Sequence, residues 1–243
     1  MDRLIFTAVS GAARSLSQQE IHANNLANVN TEGFRSDLDN AITQQVNGEG
    51  YASRYLAQPT QGSVDMAPGA VRETGRDLDI AIKGDGLIAL RSGAREVYTR
   101  NGQIDVNADG ELSVNGLPLE GDNGPIVLPP FSSVAIGDDG VITIVPEDGD
   151  IAAPMDIDRV KLVNIPANQL SKNQAGFLVT NAAFNPRDED VTVASGHLES
   201  ANVSAIGEMV SSIALNRQFE AQIKMMKAAE DLATAGNRLI RGS

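Results

Sequence analysis

A chain of 243 residues is long enough for one large domain or two small ones, and the absence of cysteine excludes both a disulfide framework and a thiolate metal centre. A net charge of −13 argues against nucleic-acid binding, which needs a basic footprint. Without tryptophan and with few aromatics, any core must rest on Val, Ile, Leu and Ala.

The acidity is uneven. Residues 1–35 and 197–243 are each charge-balanced, so the whole excess falls in residues 36–196. Neutral ends tolerate one another, whereas the acidic middle repels itself at low salt. No apolar run approaches the ~18–20 residues that span a bilayer. The opening Met1–Ser10 is too broken by Thr7, Ser10 and Gly11, and too acidic at Asp2, to read as a cleaved signal peptide. Export, if it occurs, is expected to use another route.

The first predicted element is a helix. Ile5, Ala8, Ala12, Leu16, Ala23 and Leu26 recur at helical spacing as a narrow stripe of mostly small residues. Such a stripe permits close helix–helix approach but buries too little to hold a helix alone. It ends in Asn24-Asn25-Leu26-Ala27-Asn28-Val29-Asn30-Thr31-Glu32-Gly33-Phe34. Asn side chains there can serve orphan groups of the last turn, and Gly33 can take φ > 0. Asn25, Asn28 and Gly33 are therefore expected to form a hinge.

Residues 40–75 are rich in Gly, Gln and Ser and read as an extended arm. Short strand candidates follow at Leu78–Ile82, Leu87–Leu90, Gln103–Val106, Glu111–Val114, Val141–Val145 and Val160–Val163. Turn signals separate them, among them Asn101-Gly102, Asp109-Gly110, Asn115-Gly116 and Asp139-Gly140. This pattern predicts a small antiparallel barrel or sandwich.

The last element is a helix of about 40 residues, roughly 60 Å at ~1.5 Å per residue. Val203, Ile206, Val210 and Ile213 follow coiled-coil spacing, and Phe219, Ile223, Met226, Ala233 and Ile240 continue it after a phase shift near Asn216-Arg217. A seam that long needs other helices to cover it. The expected fold is α+β. Residues 1–35 and 198–243 form a helical layer paired like a coiled coil, 36–75 and 185–197 an arm, and 76–184 an antiparallel β-rich domain.

Catalytic and ligand signals are weak. Asp105-Val106-Asn107-Ala108-Asp109-Gly110 copies the opening of a calcium loop, but Gly116 stands where a closing Glu belongs and strands flank it, so a hairpin turn is the better reading. The clusters Asp148, Asp150, Asp156, Asp158 and Asp188-Glu189-Asp190 have no spacing that fixes a geometry. His22 and His197 have no neighbouring nucleophile signature. No catalytic residue, metal ligand or cofactor is expected.

Three segments resemble the flagellar axial protein family of rod and hook subunits. Ser10-Gly11-Ala12 with Ala23–Phe34 is similar to its N-terminal signature, with Glu32 where the family often has Pro. Asp77–Gly86, Tyr98-Thr99-Arg100-Asn101-Gly102 and Asp109-Gly110-Glu111-Leu112 resemble its β domain. Gly196-His197-Leu198-Glu199-Ser200-Ala201-Asn202-Val203, Glu208-Met209-Val210 and Arg217-Gln218-Phe219-Glu220 resemble its C-terminal segment, where Ser-Asn-Val is more usual than Ala-Asn-Val. Met1–Ile5, Asp65–Gly69 and Phe219–Lys224 look like the proximal rather than the distal rod subunit.

That resemblance implies a non-enzymatic subunit of the proximal rod, a drive shaft crossing the periplasm. It would assemble with copies of itself and other rod subunits after passage through the flagellar export apparatus, without nucleic acid or membrane insertion. Ile5, Ala8, Ala12, Leu16, Leu26, Val203, Ile206, Val210, Ile213, Phe219, Ile223 and Met226 would carry the assembly interface. Open alternatives are a distal-rod or hook subunit, a secreted calcium-binding β module and an acidic hydrolase using a carboxylate pair.

Overall fold

The computed structural model describes residues 2–45, 55–59, 63–147 and 153–242. Two compact units divide the chain: Met1–Ala27, Asp37–Ser63 and Val203–Ser243 make one, Asn28–Ser36 and Val64–Asn202 the other. Long terminal helices and a central antiparallel strand-rich region make the fold α+β.

In the first unit, α1 (Asp2–Ala27) and α2 (Ala205–Arg241) run antiparallel, with His22 beside Glu208 and Gly11 against Gln222. Helix α2 starts where its sequence tells it to. Ser204 is extended, its hydroxyl accepts the Gly207 N–H at 3.3 Å, and Glu208 sits in the first turn, where the helix dipole favours an acid. Gly242 closes it by donating to the Arg238 carbonyl. The predicted arm is partly strand: Ala41–Gln45 pairs antiparallel with Tyr55–Pro59. Neither segment has the apolar alternation by which strands are read, so only backbone pairing reveals it.

The second unit is built on a five-stranded antiparallel sheet in the order Leu162–Val163, Leu87–Ser92, Arg95–Thr99, Leu178–Val179, Ser171–Lys172. A three-stranded sheet of Phe131–Ile136, Val141–Pro146 and Met155–Arg159 packs Val134, Ile136, Ile142 and Ile144 into the same core as Ile88, Leu90, Ile104 and Leu112. Ile80–Lys83 pairs with Thr192–Ser195, and Val71–Glu73 with His197–Glu199. The hairpin at Asn115-Gly116 has φ of 52° and 79°, the primed geometry that Asn-Gly tolerates best. The core is aliphatic, as the composition requires, with Tyr98 its one fully buried aromatic among the described residues.

Candidate assembly interface

The inner seam of the helical unit is made mostly of small and polar side chains, with Leu215, Phe219 and Met226 as its large apolar members on α2. On α1, Ala8, Ala12 and Ser15 are buried and Gly11, Gln19 and His22 partly so. On α2 the inward positions are Glu208, Ser212, Leu215, Phe219, Gln222, Met226, Ala229 and Ala233, an unbroken alternation of four and three. Small residues bring the helices close, so a Cβ added at Gly11 would sit 2.9 Å from the Gln222 amide nitrogen. The His22 Nδ1 to Glu208 Oε2 distance is 2.5 Å. Residues 37–39 fasten to α1: Arg14 and Gln18 donate to Asp39, and the Asn25 amide exchanges hydrogen bonds with the Asp37 backbone at 3.1 and 2.9 Å. The Asn25 amide thus serves a residue beyond the helix rather than the last turn itself.

The large apolar residues expected on one seam occupy two faces. Phe219 and Met226 lie in the inner row, while Ile206, Val210 and Ile213 are 73, 61 and 56% exposed and point away from it. The inward row of α2 keeps the same alternation on both sides of Asn216-Arg217, so the apparent phase shift is a change of face. Ile223 is also exposed, and Val203 is half-buried. On α1, Ile5 and Leu26 are half-buried on the face that carries Ala8 and Ala12, but Leu16 and Ala23 face outward. With Leu16 stand Phe6 and Val9, and with Ile206 stands Met209, none of them singled out by the sequence. Their signal was present as a second apolar stripe at helical spacing.

In the second unit, residues 28–36 and 196–202 are held together. The Gly33 N–H donates to the Glu199 carbonyl at 2.6 Å, the Asn202 N–H to the Phe34 carbonyl at 3.2 Å, and the Ser36 N–H to Asn202 Oδ1 at 2.7 Å. Gly33 has φ of 66°, and a Cβ there would fall 2.2 Å from the Arg100 carbonyl carbon and the Asn101 nitrogen. Two requirements for glycine coincide. Thr31 Oγ1 donates to Asn28 Oδ1 at 3.2 Å.

At the centre of this knot lies Glu199. Arg35 Nη2 is 2.7 Å from its Oε1, a close Coulombic contact off hydrogen-bond alignment, and Arg100 Nη1 is 3.2 Å from its Oε2. Gly69 donates its N–H to Oε1, while Arg35 also donates to the Ala67 carbonyl and Arg100 to the Ile82 and Gly84 carbonyls. Burial pushes the Arg100 guanidinium's pKa down, and the carboxylate of Glu199 opposes that shift. Single-sequence reasoning missed this cluster. Its only trace was Glu199 inside the C-terminal motif and Arg35 directly after the N-terminal one.

Elsewhere the chemistry is structural. Asn107 Oδ1 accepts the Asp109 and Glu111 N–H groups, both at 2.9 Å, so the calcium-like loop is a hairpin turn. Asp156 accepts from Thr143, Asp158 from Asn123 and its neighbour's N–H, and Asp188 from the Asp190 N–H. Asp148 and Asp150 lie outside the described residues. His197 Nδ1 is 2.7 Å from the Ser195 carbonyl oxygen. Among the described residues no group of three His, Asp or Glu is placed to hold a metal, and no helix is long and apolar enough to cross a membrane.

Three family models match along the chain: flagella basal body rod protein over residues 5–35, the flagellar hook protein FlgE/F/G D1 domain over 81–144, and the flagellar basal body rod FlgEFG protein C-terminal region over 194–239. The flagellar basal-body rod protein FlgF of Escherichia coli and that of Salmonella typhimurium are each 34% identical to this chain over 248 aligned positions, covering 99% of both partners. The flagellar basal-body rod protein FlgG of Bacillus subtilis is 26% identical over 96% of this chain and 97% of its own length. The first and last models fall on the two segments knotted at Arg35 and Glu199 and on the helices beyond them. The chain belongs to the FlgF family of flagellar basal-body rod proteins.

Proposed function

We infer that the chain is a structural subunit of the proximal flagellar rod, transmitting torque across the periplasm as part of a helically assembled shaft. The observation that supports this most strongly is the outward apolar face of both terminal helices, on the side away from their inner seam. Exposed apolar patches of this kind mark protein contact surfaces. Copies of the same chain and other rod subunits are the partners, and the residues named from the sequence divide the work. Ala8, Ala12, Phe219 and Met226 pair α1 with α2, whereas Leu16, Ile206, Val210, Ile213 and Ile223 meet neighbours.

The role is mechanical rather than catalytic. Helices joined by a seam in which small and polar residues outnumber large apolar ones are marginal before assembly, which suits passage through the flagellar export apparatus in a loosely folded state. Asn25, Asn28 and Gly33 act as the hinge segment at the end of the first helix. Deleting the gene and returning a tagged copy tests this reading. Motility and the presence of the tag in purified basal bodies are expected together; a motile deletion strain, or a tag found only outside the basal body, would contradict it.

A further inference from the structure

The calcium-like loop, a hairpin turn by its hydrogen bonds, walls a cleft of about 330 Å³ in the β-rich unit. Asn107 and Asp109 come from the loop, and Pro129, Pro130 and Phe131 from the segment that enters the three-stranded sheet. Glu147 comes from the end of that sheet's middle strand. Backbone hydrogen bonds hold these pieces in place. Leu128 donates its N–H to the Gly110 carbonyl at 2.8 Å, and Glu147 donates its own to the Pro130 carbonyl at 3.2 Å. Gly110, at a φ of 80°, lets the loop come this close, because a Cβ there would fall 2.1 Å from the Leu128 carbonyl oxygen. Two consecutive prolines stiffen the opposing segment. The cleft is therefore formed before any ligand arrives.

The lining selects the ligand. Asp109 and Glu147 are exposed, and neither carboxylate forms an ion pair among the described residues, whereas Asp105 on the same hairpin pairs with Arg76 at 3.3 Å. No lysine or arginine lines the cleft. Two carboxylates are too few for a calcium site, which takes six to eight oxygen ligands. Phe131 and the prolines add an apolar surface that a bare cation would not use. A long basic side chain meets both demands, with its stem on the apolar wall and its charged head at the carboxylates. Arginine suits the site better than lysine, because its planar guanidinium is less strongly hydrated and stacks on an aromatic face.

We propose that this cleft receives an arginine side chain presented by a partner protein. Its volume lies at the low end of ligand pockets, enough for one side chain rather than a cofactor. A free solute gains little from so open a site, whereas an arginine fixed on a folded surface arrives already ordered. The whole acidic excess of the chain falls in residues 36–196, so a basic partner surface is steered toward this unit. The site is independent of the rod-subunit reading and involves neither terminal helix.

The chemistry is tested by titrating N-acetyl-arginine amide, and its uncharged isostere N-acetyl-citrulline amide, into the full-length chain while backbone amide shifts are followed by NMR. Saturable shifts at residues 106–110, 128, 131 and 147 are expected with the arginine amide and none with the citrulline amide. Asp109→Asn and Glu147→Gln should each weaken binding roughly 3–5-fold, the scale of an exposed charge pair. Both positions are exposed, and the unshifted remainder of the spectrum reports an intact fold. Equal shifts with the citrulline amide, equal binding of N-acetyl-lysine amide, or shifts spread over the whole acidic surface would overturn the proposal. The partner is tested in cells that carry p-benzoylphenylalanine at the exposed cleft position 108 and are irradiated. The expected adduct joins a protein peptide with an arginine beside the cross-link, and it is lost in the Asp109→Asn, Glu147→Gln double variant. No protein adduct, one without a nearby arginine, or one that persists in the double variant would equally overturn it.

Discussion

Arg35 Nη2 lies 2.7 Å from Glu199 Oε1, with both side chains 1% exposed, so the segment after the first helix and the segment before the last are joined by a buried ion pair. Arg100 shares the same carboxylate. Backbone carbonyls and the Gly69 N–H meet several of the polar atoms of these three charges, while Arg35 Nε and Nη2 and Arg100 Nε are buried without a hydrogen-bond partner, so the shared carboxylate carries most of the compensation. The two terminal family segments thus contribute Arg35 and Glu199 to a single cluster in the β-rich unit, which Arg100 completes.

Glu199→Gln should be severe. It leaves Arg35 and Arg100 buried against one another without a counter-charge, at a cost of about 3–5 kcal/mol. Urea unfolding of the full chain measures it. A loss under ~1 kcal/mol would mean that water or another anion already satisfies the arginines.

Gly33→Ala should destabilise the same unit by at least ~1–2 kcal/mol from its positive φ alone. The clash with the Arg100 backbone adds to that. The unfolding midpoint in urea is the readout, and an unchanged midpoint would show that the backbone there shifts freely. Gly11→Ala, by contrast, meets only the flexible end of Gln222 and gains about 1 kcal/mol of helix propensity. Its far-ultraviolet circular dichroism should show equal or greater helix content.

Tyr98 predicts an alkaline limit. Burial pushes its phenol up to about 12, while the Asn185 bond works against that and the Glu96 bond with it. A folded pKa above the unfolded ~10 means the unfolded chain loses its proton first. The stabilisation, about 2 kcal/mol, is therefore fully present below pH ~10 and lost as pH rises through about 12. Melting temperatures measured across that window should fall less steeply in Tyr98→Phe than in the parent chain.

Much of this architecture was legible because it rests on local rules. The terminal helices followed from apolar residues at helical spacing, and Leu87–Ser92 and Val141–Pro146 from short apolar runs between glycine turns. Arg95–Thr99, Phe131–Ile136 and Met155–Arg159 escaped notice, since Arg-Glu, Ser-Ser and alternating Asp interrupt their apolar residues. Apolar spacing also merged two faces of α2 into one. The true inner row contains Ser212, Gln222 and Ala229, which no hydrophobicity pattern highlights. The Arg35–Glu199 pair joins opposite ends of the chain, and a single sequence holds no local signal for such a contact.

The central claim is that the outer face of α2 serves contacts between chains rather than the fold of one chain. Ile213 is more than half exposed, so a charge there costs the isolated chain little; buried between copies it would forfeit roughly 1.5–3 kcal/mol of apolar burial and add the cost of an unpaired carboxylate. The direct measurement is Ile213→Asp, assayed in one preparation for the melting temperature of the β-rich unit and in cells for incorporation into basal bodies. The account predicts an unchanged melting temperature and no incorporation. A sharp fall in melting temperature, or normal incorporation with normal motility, would contradict it.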